Sequence, residues 1–246
     1  MFNSAYITQL VLSALCVLIT LTVHEYAHGY AAYKLGDGTA RSLGRLSLNP
    51  LRHLDPFGAV CMLLFHFGWA KPVPINPRNF KKPRRDFAIT AAAGPLANIL
   101  MAFLSAPIFL LLNNLFKYSS VPFLNALMTN TLLFIYYFHR INIGLGVFNL
   151  LPIPPFDGSR IINLILPPKL YFKIMRYERY IYWGVVIWLL LGQNVYSFLM
   201  SFSFVAANPV LSGIASVFAL SMHISNATEA LSNGIFKLWS LIPALR

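Results

Sequence analysis

The run Leu21-Thr22-Val23-His24-Glu25-Tyr26-Ala27-His28 lies near the end of the first long apolar stretch of the chain, roughly Tyr6 to Tyr33. Residues 1–33 contain no lysine or arginine, and Glu25 is their only acid. About 20 mostly apolar residues suffice to cross a bilayer as a helix, so this stretch predicts a transmembrane helix. On that helix His24 and His28 share a face one turn apart, and both imidazoles can reach one metal ion. Glu25 projects beside them, where a carboxylate can act as a general base. A charged side chain at bilayer depth costs at least ~2.5–3.5 kcal/mol on insertion scales, so three ionisable groups in one turn mark a site. The pattern predicts a zinc-dependent hydrolase working within a membrane. His24 precedes Lys34 by ten residues, or ~15 Å of helix, which sets the site below the membrane surface and short of the bilayer centre.

Composition extends this reading to the whole chain. Of 246 residues, 57% are hydrophobic and 11% charged, against about 25% charged in soluble domains. The expected fold is an all-α polytopic membrane protein with about five to six transmembrane helices. It forms a single membrane-embedded domain over 1–246, with a catalytic core at about 6–166 and C-terminal spans with an interfacial helix at about 177–246. Ten lysines and arginines fall between Lys34 and Arg85, and five more between Arg160 and Arg179. By the positive-inside rule, loops 34–86 and 157–180 are expected to be cytoplasmic and the N-terminus non-cytoplasmic. The net charge of +12 could also suit nucleic acid. Here the basic clusters flank apolar spans, which favours anionic lipid head groups and no nucleic-acid partner. Cys16 and Cys61 form no disulfide framework or C-x-x-C motif and read as packing residues. The N-terminal stretch lacks a basic n-region, so it reads as a retained span rather than a cleaved signal.

The segment 39–85 is irregular. Asn49-Pro50, Asp55-Pro56, Pro72, Pro74 and Asn76-Pro77 exclude a continuous helix. Within it the apolar stretch 57–69 is too short to span, so a re-entrant or interfacial β-hairpin is expected over about 57–75. A second span is predicted at about Phe87–Leu112, holding Ala93-Gly94-Pro95-Leu96-Ala97-Asn98, whose small residues admit close helix approach. A third starts near Val121 and runs through Phe138, with the chain apolar to Leu151. A fourth covers about Tyr180–Leu191, a fifth 195–222, and the tail 227–246 reads as an amphipathic interfacial helix.

Two histidines do not complete a catalytic zinc site, which usually has three protein ligands and an open position. Asp157 follows the proline-broken stretch Asn149-Leu150-Leu151-Pro152-Ile153-Pro154-Pro155-Phe156. Broken backbone at membrane depth is tolerated where it is buried in protein or lines a wet cavity. Asp157 is either a third ligand or the N-cap of a short helix starting at Gly158, and spacing alone does not choose.

Five stretches together carry a resemblance to the site-two protease family of intramembrane zinc metalloproteases, in a short form without PDZ or CBS domains. They are His24 to His28; Gly44 to Pro50 continuing to His53-Leu54-Asp55-Pro56; Phe67 to Pro74; Ala93 to Asn98; and Asn149 to Gly158. The resemblance covers about residues 20–165. It implies one zinc ion held by His24, His28 and Asp157, with Glu25 catalytic. It also implies that Asn98 and Asn149 lie beside the active site. These two are candidates for substrate or oxyanion contact, and His53 is a third, near the cleft or else a locally bonded loop residue. His66 and His139 read as interfacial and His223 as incidental.

The implied reaction is hydrolysis of peptide bonds in or near transmembrane segments of a membrane-protein substrate. The bilayer is the medium, and an oligomer is compatible with the sequence. Two other readings stand beside it. One is a membrane metal transporter using the same His/His/Asp site, distinguished by metal flux. The other is a silent membrane scaffold, favoured by purified protein that holds no zinc.

Overall fold

The first apolar stretch forms one unbroken helix, α1 (Ser4–Lys34), in a computed structural model that describes residues 4–58, 70–116, 121–201 and 220–245. It stops at Gly36, whose φ of 110° lies in the left-handed region open to glycine at little cost. There the amides of Gly36 and Asp37 turn back onto the carbonyls of Tyr33 and Ala32. The short α2 (Thr39–Ser42) follows, then α3 (Pro83–Leu115) and α4 (Pro122–Asn149). Each of these two long helices opens on a proline, where the missing N–H would be unpaired anyway. The Asp86 carboxylate accepts the Lys82 amide at 2.9 Å and so caps α3. The chain continues through α5 (Gly158–Ile161), α6 (Pro168–Arg176), α7 (Glu178–Met200) and α8 (Leu220–Trp239).

Three helices, α1, α3 and α4, are long and apolar enough to cross a membrane. The described residues therefore supply three of the expected five to six spans. The third runs eleven residues past Phe138 to Asn149, because nothing before Leu150 breaks it. Most of the expected fifth span lies outside the described residues. So do residues 59–69 of the expected hairpin, together with Cys61 and His66. Among the described residues there is no strand, only one antiparallel bridge between Leu54 and Ala70, with the Lys71 amide donating to the His53 carbonyl at 2.8 Å.

The long helices pack inside out relative to a soluble bundle. On α1 the buried row is Cys16, Thr20, His24, His28 and Ala32, in steps of four. On α3 it is Asp86, Thr90, Gly94, Asn98, Ala102 and Ala106, again in steps of four. On α4 it is His139, Asn142, Ile143 and Gly146. The large apolar residues face outward: Ile7, Val11 and Leu15 on α1, and Leu96, Leu100, Leu104 and Ile108 on α3. Lipid is as apolar as leucine, so there is no reward for burying large side chains, and small and polar residues take the contacts. Polar links stitch α1 to α4. The Asn142 amide donates to Thr20 Oγ1 at 2.9 Å, and the Cys16 thiol donates to the Phe134 carbonyl at 3.4 Å.

The tail, expected as an amphipathic interfacial helix over 227–246, forms α8 and the residues after it. α8 packs on α3 and α4 and buries Thr228, Ser232 and Ile235. The Trp239 indole donates to the Phe103 carbonyl at 3.0 Å. Pro107, four residues on, has no N–H to bond that carbonyl, and the indole takes its place.

Candidate metal centre

His24 and His28 sit on the buried face of α1, each nearly closed to solvent. Their rings meet edge to face, with centroids 4.5 Å apart, and the two Nε2 atoms are 3.0 Å from one another. Asp157 completes the group: its Oδ2 lies 3.1 Å from His24 Nε2 and 3.3 Å from His28 Nε2. No other hydrogen-bonding group among the described residues reaches that buried oxygen. The three atoms form a triangle with edges of 3.0–3.3 Å. One face of a tetrahedron with metal–ligand bonds of about 2.0–2.1 Å has edges of about 3.3–3.4 Å, so the triangle fits zinc with little adjustment. Two imidazoles and a carboxylate are also a donor set that zinc accepts.

Asp157 is brought there by the broken stretch after α4. Leu150 and Leu151 turn back through bonds to Gly146, Val147 and Phe148. Phe156 then packs its ring on Phe148, with centroids 4.4 Å apart. The loop closes so tightly that a Cβ on residue 158 would sit 2.3 Å from the carbonyl oxygens of both Leu150 and Leu151. Only glycine fits at 158. Asp157 does occupy the N-cap position of α5, but its side chain makes no capping bond and points to the histidines instead.

α3 provides the floor of the site. The His28 Nδ1–H donates to the Thr90 carbonyl at 2.7 Å. His24 Nδ1 meets the amide of Asn98 at 3.1 Å. Between them, a Cβ on Gly94 would lie 2.4 Å from His28 Nε2 and 2.7 Å from His24 Cε1. Gly94 is thus a notch that lets both rings lie against the helix backbone. The sequence reading saw the small residues of α3 as a generic packing signal. Their four-residue row through Thr90, Gly94 and Asn98 was the sharper clue, and it matches the row on α1.

The opposite side is open. A cavity of about 350 Å³ is lined by Glu25, His24, His28 and Asp157, and also by Pro72, Val73, Ile75, Asn149 and Arg160. The Val73 amide donates to Glu25 Oε2 at 2.8 Å and fixes the orientation of that carboxylate. Val73 belongs to a strap pinned on both flanks. Arg45 donates to the Lys71 carbonyl at 2.8 Å. Beyond it, fully buried Asp37 accepts from the Asn76 amide at 2.7 Å and from Asn79 Nδ2 at 2.8 Å. Burial works against the Asp37 carboxylate, but the bonds from Thr39, Asn76 and Asn79 outweigh it and hold its pKa below the ordinary aspartate value. Arg45 and Val73 fall in stretches that carry the family resemblance, but what they and Asp37 bond to is not legible locally, because their partners are 26 to 48 residues away.

Of the other singled-out residues, Asn149 lines the cavity while its amide nitrogen donates to the Leu145 carbonyl at 3.0 Å. Asn98 is fully buried behind His24 and does not border the cavity. His53 is buried too, and its Nε2–H donates to the Ser47 carbonyl at 2.7 Å, closing its own loop. His139, expected at an interface, is fully enclosed between α3, α4 and α8. Its Nδ1 faces the Ala102 carbonyl at 2.9 Å and its Nε2 faces Ser232 Oγ at 3.0 Å.

Comparison with known proteins follows the same lines. Residues 12–191 match peptidase family M50. The protein named "Putative zinc metalloprotease YwhC" from Bacillus subtilis (strain 168) is 43% identical over 175 residues, which is 71% of this chain and 77% of that protein. Two relatives carry names of the same form. Rip2 of Mycolicibacterium smegmatis is 28% identical over 62% of this chain and 56% of its own length. MJ0611 of Methanocaldococcus jannaschii is 30% identical over 46% of this chain and 43% of its own length. No solved structure matches.

Proposed function

We propose that this chain, which belongs to peptidase family M50, is a zinc-dependent endopeptidase that cuts peptide bonds in or near transmembrane segments of membrane-protein substrates. The observation that carries this reading is the triangle of His24 Nε2, His28 Nε2 and Asp157 Oδ2, set beside Glu25 in one cavity. When bound, zinc polarises a carbonyl oxygen and makes a nearby water more acidic. Everything else falls to the protein. Glu25 takes the proton of the attacking water and gives it to the leaving amine. The Val73 amide keeps that carboxylate turned into the cavity. Asn149 lines the cavity; one hydrogen of its amide goes to the Leu145 carbonyl, and in this reading the other is donated to the developing oxyanion. On the α3 side, buried Gly94 and Asn98 close the site to water, so water reaches it through the cavity.

The carbonyls of a helical substrate are bonded to its own amides, so the segment to be cut must unwind before it can enter. In the topology we assign, loops 34–86 and 157–180 face the cytoplasm and the N-terminus faces out, which puts the cavity toward the cytoplasmic side. The test is a Glu25→Gln variant assayed on a model membrane substrate in proteoliposomes. The expected result is one zinc per chain, as in the unmodified protein, with cleavage lost. Cleavage by Glu25→Gln at the unmodified rate would overturn the mechanism.

A further inference from the structure

Resting on that reading, we infer that Asn98 is a positioning residue for His24: its amide oxygen accepts the Nδ1–H of that ring and thereby holds Nε2 free to bind zinc.

The two histidines are supported from the same helix in different ways. His28 Nδ1 faces the Thr90 carbonyl at 2.7 Å. A carbonyl only accepts, so it fixes the proton on Nδ1 and leaves the Nε2 lone pair facing Asp157. His24 Nδ1 faces the side-chain amide of Asn98, two turns along α3, at 3.1 Å. An amide can present either end to a ring. With its nitrogen toward Nδ1, it donates, and the proton of a neutral imidazole must then sit on Nε2, where a metal would have to displace it. With its oxygen toward Nδ1, it accepts, and Nε2 is free.

Zinc binding requires the second arrangement. Asn98 is fully buried, and with the nitrogen toward the ring its Oδ1 has no partner among the described residues. Turning the group over puts the amide N–H2 in that same place, so the amide's own bonds do not choose; the ring does, because an Nε2 that binds zinc leaves its proton on Nδ1, and the group facing Nδ1 must then accept it. The nitrogen and oxygen of an asparagine amide have nearly the same shape, so turning the group over needs no room. The turn gives Oδ1 the Nδ1–H of His24 and gives that ring the same tautomer that Thr90 imposes on His28. Both Nε2 lone pairs then converge with Asp157 Oδ2 on one point. This assigns Asn98 to the back of a ligand rather than to the substrate.

The experiment measures zinc affinity of the purified full-length chain by chelator competition, and the visible absorption of its cobalt(II) form, for the unmodified protein, Asn98→Asp and Asn98→Leu. Losing an outer acceptor typically weakens a metal site about 10–100-fold. Asn98→Leu should weaken zinc by that factor and alter the cobalt bands. Asn98→Asp, which can only accept, should bind zinc within a few-fold of the unmodified protein and keep its spectrum. If the amide instead donates to the ring, Asn98→Asp weakens zinc as much as Asn98→Leu, and that result overturns the inference. Unchanged affinity in Asn98→Leu overturns it as well. Should Asn98→Leu fail to fold, Asn98→Asp alone decides, since the two arrangements predict opposite outcomes for it. If the unmodified chain binds no zinc at all, the proposed function falls first and this inference with it.

Discussion

His139 and the pair His24/His28 are all closed to solvent inside the same bundle, yet their neighbours differ in kind. Around His139 both ring nitrogens are taken. Nδ1 faces a carbonyl, Nε2 faces a serine hydroxyl, and the ring packs on Phe236 with centroids 4.5 Å apart. In the other cluster each Nδ1 is held from behind by α3, while both Nε2 atoms converge on a carboxylate. A membrane helix thus tolerates a buried histidine in two ways. It can satisfy every polar atom with neutral partners and use the ring to join helices. Or it can aim the lone pairs at one point and supply an acid there. The difference lies in where the second nitrogen looks, not in depth or burial.

The largest effect should come from removing a convergent group. His24→Ala or Asp157→Asn should lower zinc affinity by more than the roughly 10–100-fold that an outer-shell change costs, as read by metal analysis after dialysis. His139→Gln should keep one zinc per chain and lose thermal stability instead. A folded His139→Gln protein without zinc would erase the distinction between the clusters.

Next in size is Gly94→Ala. The added methyl would overlap both rings, so zinc affinity should fall at least tenfold with little change in helix content by circular dichroism. A neutral result would mean that α1 and α3 can separate at no cost. At the opposite pole, Ser232→Ala and Trp239→Phe each remove one bond between α8 and the bundle. Such bonds average about 0.6 kcal/mol in membrane proteins. Each variant should lower the melting temperature slightly and leave zinc affinity unchanged. A shift in zinc affinity would show that the two poles communicate.

The smallest effect concerns Asp37, a carboxylate that serves amides rather than a metal. Its pKa is held below the ordinary value of about 3.9. Its stabilising contribution is therefore complete above about pH 4 and fades as pH falls through the lowered folded value. Asp37→Asn should melt below the unmodified protein at pH 7, by about 1–2 kcal/mol for the weakened bonds. The gap should close as pH drops below 4. A gap that stays constant with pH would assign the role of Asp37 to shape rather than charge.

Much of this was readable from residues alone. His24, Glu25 and His28 declare themselves because ionisable groups are costly in an apolar span and because i, i+4 spacing is local. The long helices were readable for the same reason, since length and apolarity are local properties. Asp157 stood out through its prolines, but its aim depends on Gly158 passing under two carbonyls, and spacing left cap and ligand equal. The support by Asn98 and Thr90 depends on how α3 is rotated against α1, which a single helix does not encode. The four-residue row from Asp86 to Ala106 carries that rotation, yet its meaning appears only beside the matching row on α1. His139 was misjudged because its position near a span edge suggested an interface. What covers it is α8, 93 residues further along at Ser232.

The notch at Gly94 also limits how the centre can be addressed from outside. With α3 backbone against one side of both rings, the side of His24, His28 and Asp157 open to a small molecule among the described residues is the cavity lined by Val73 and Asn149. A compound that chelates there would also touch Pro72, Ile75 and Pro155 on the same wall, so its selectivity would be decided by those side chains as well as by the strength of its chelating group.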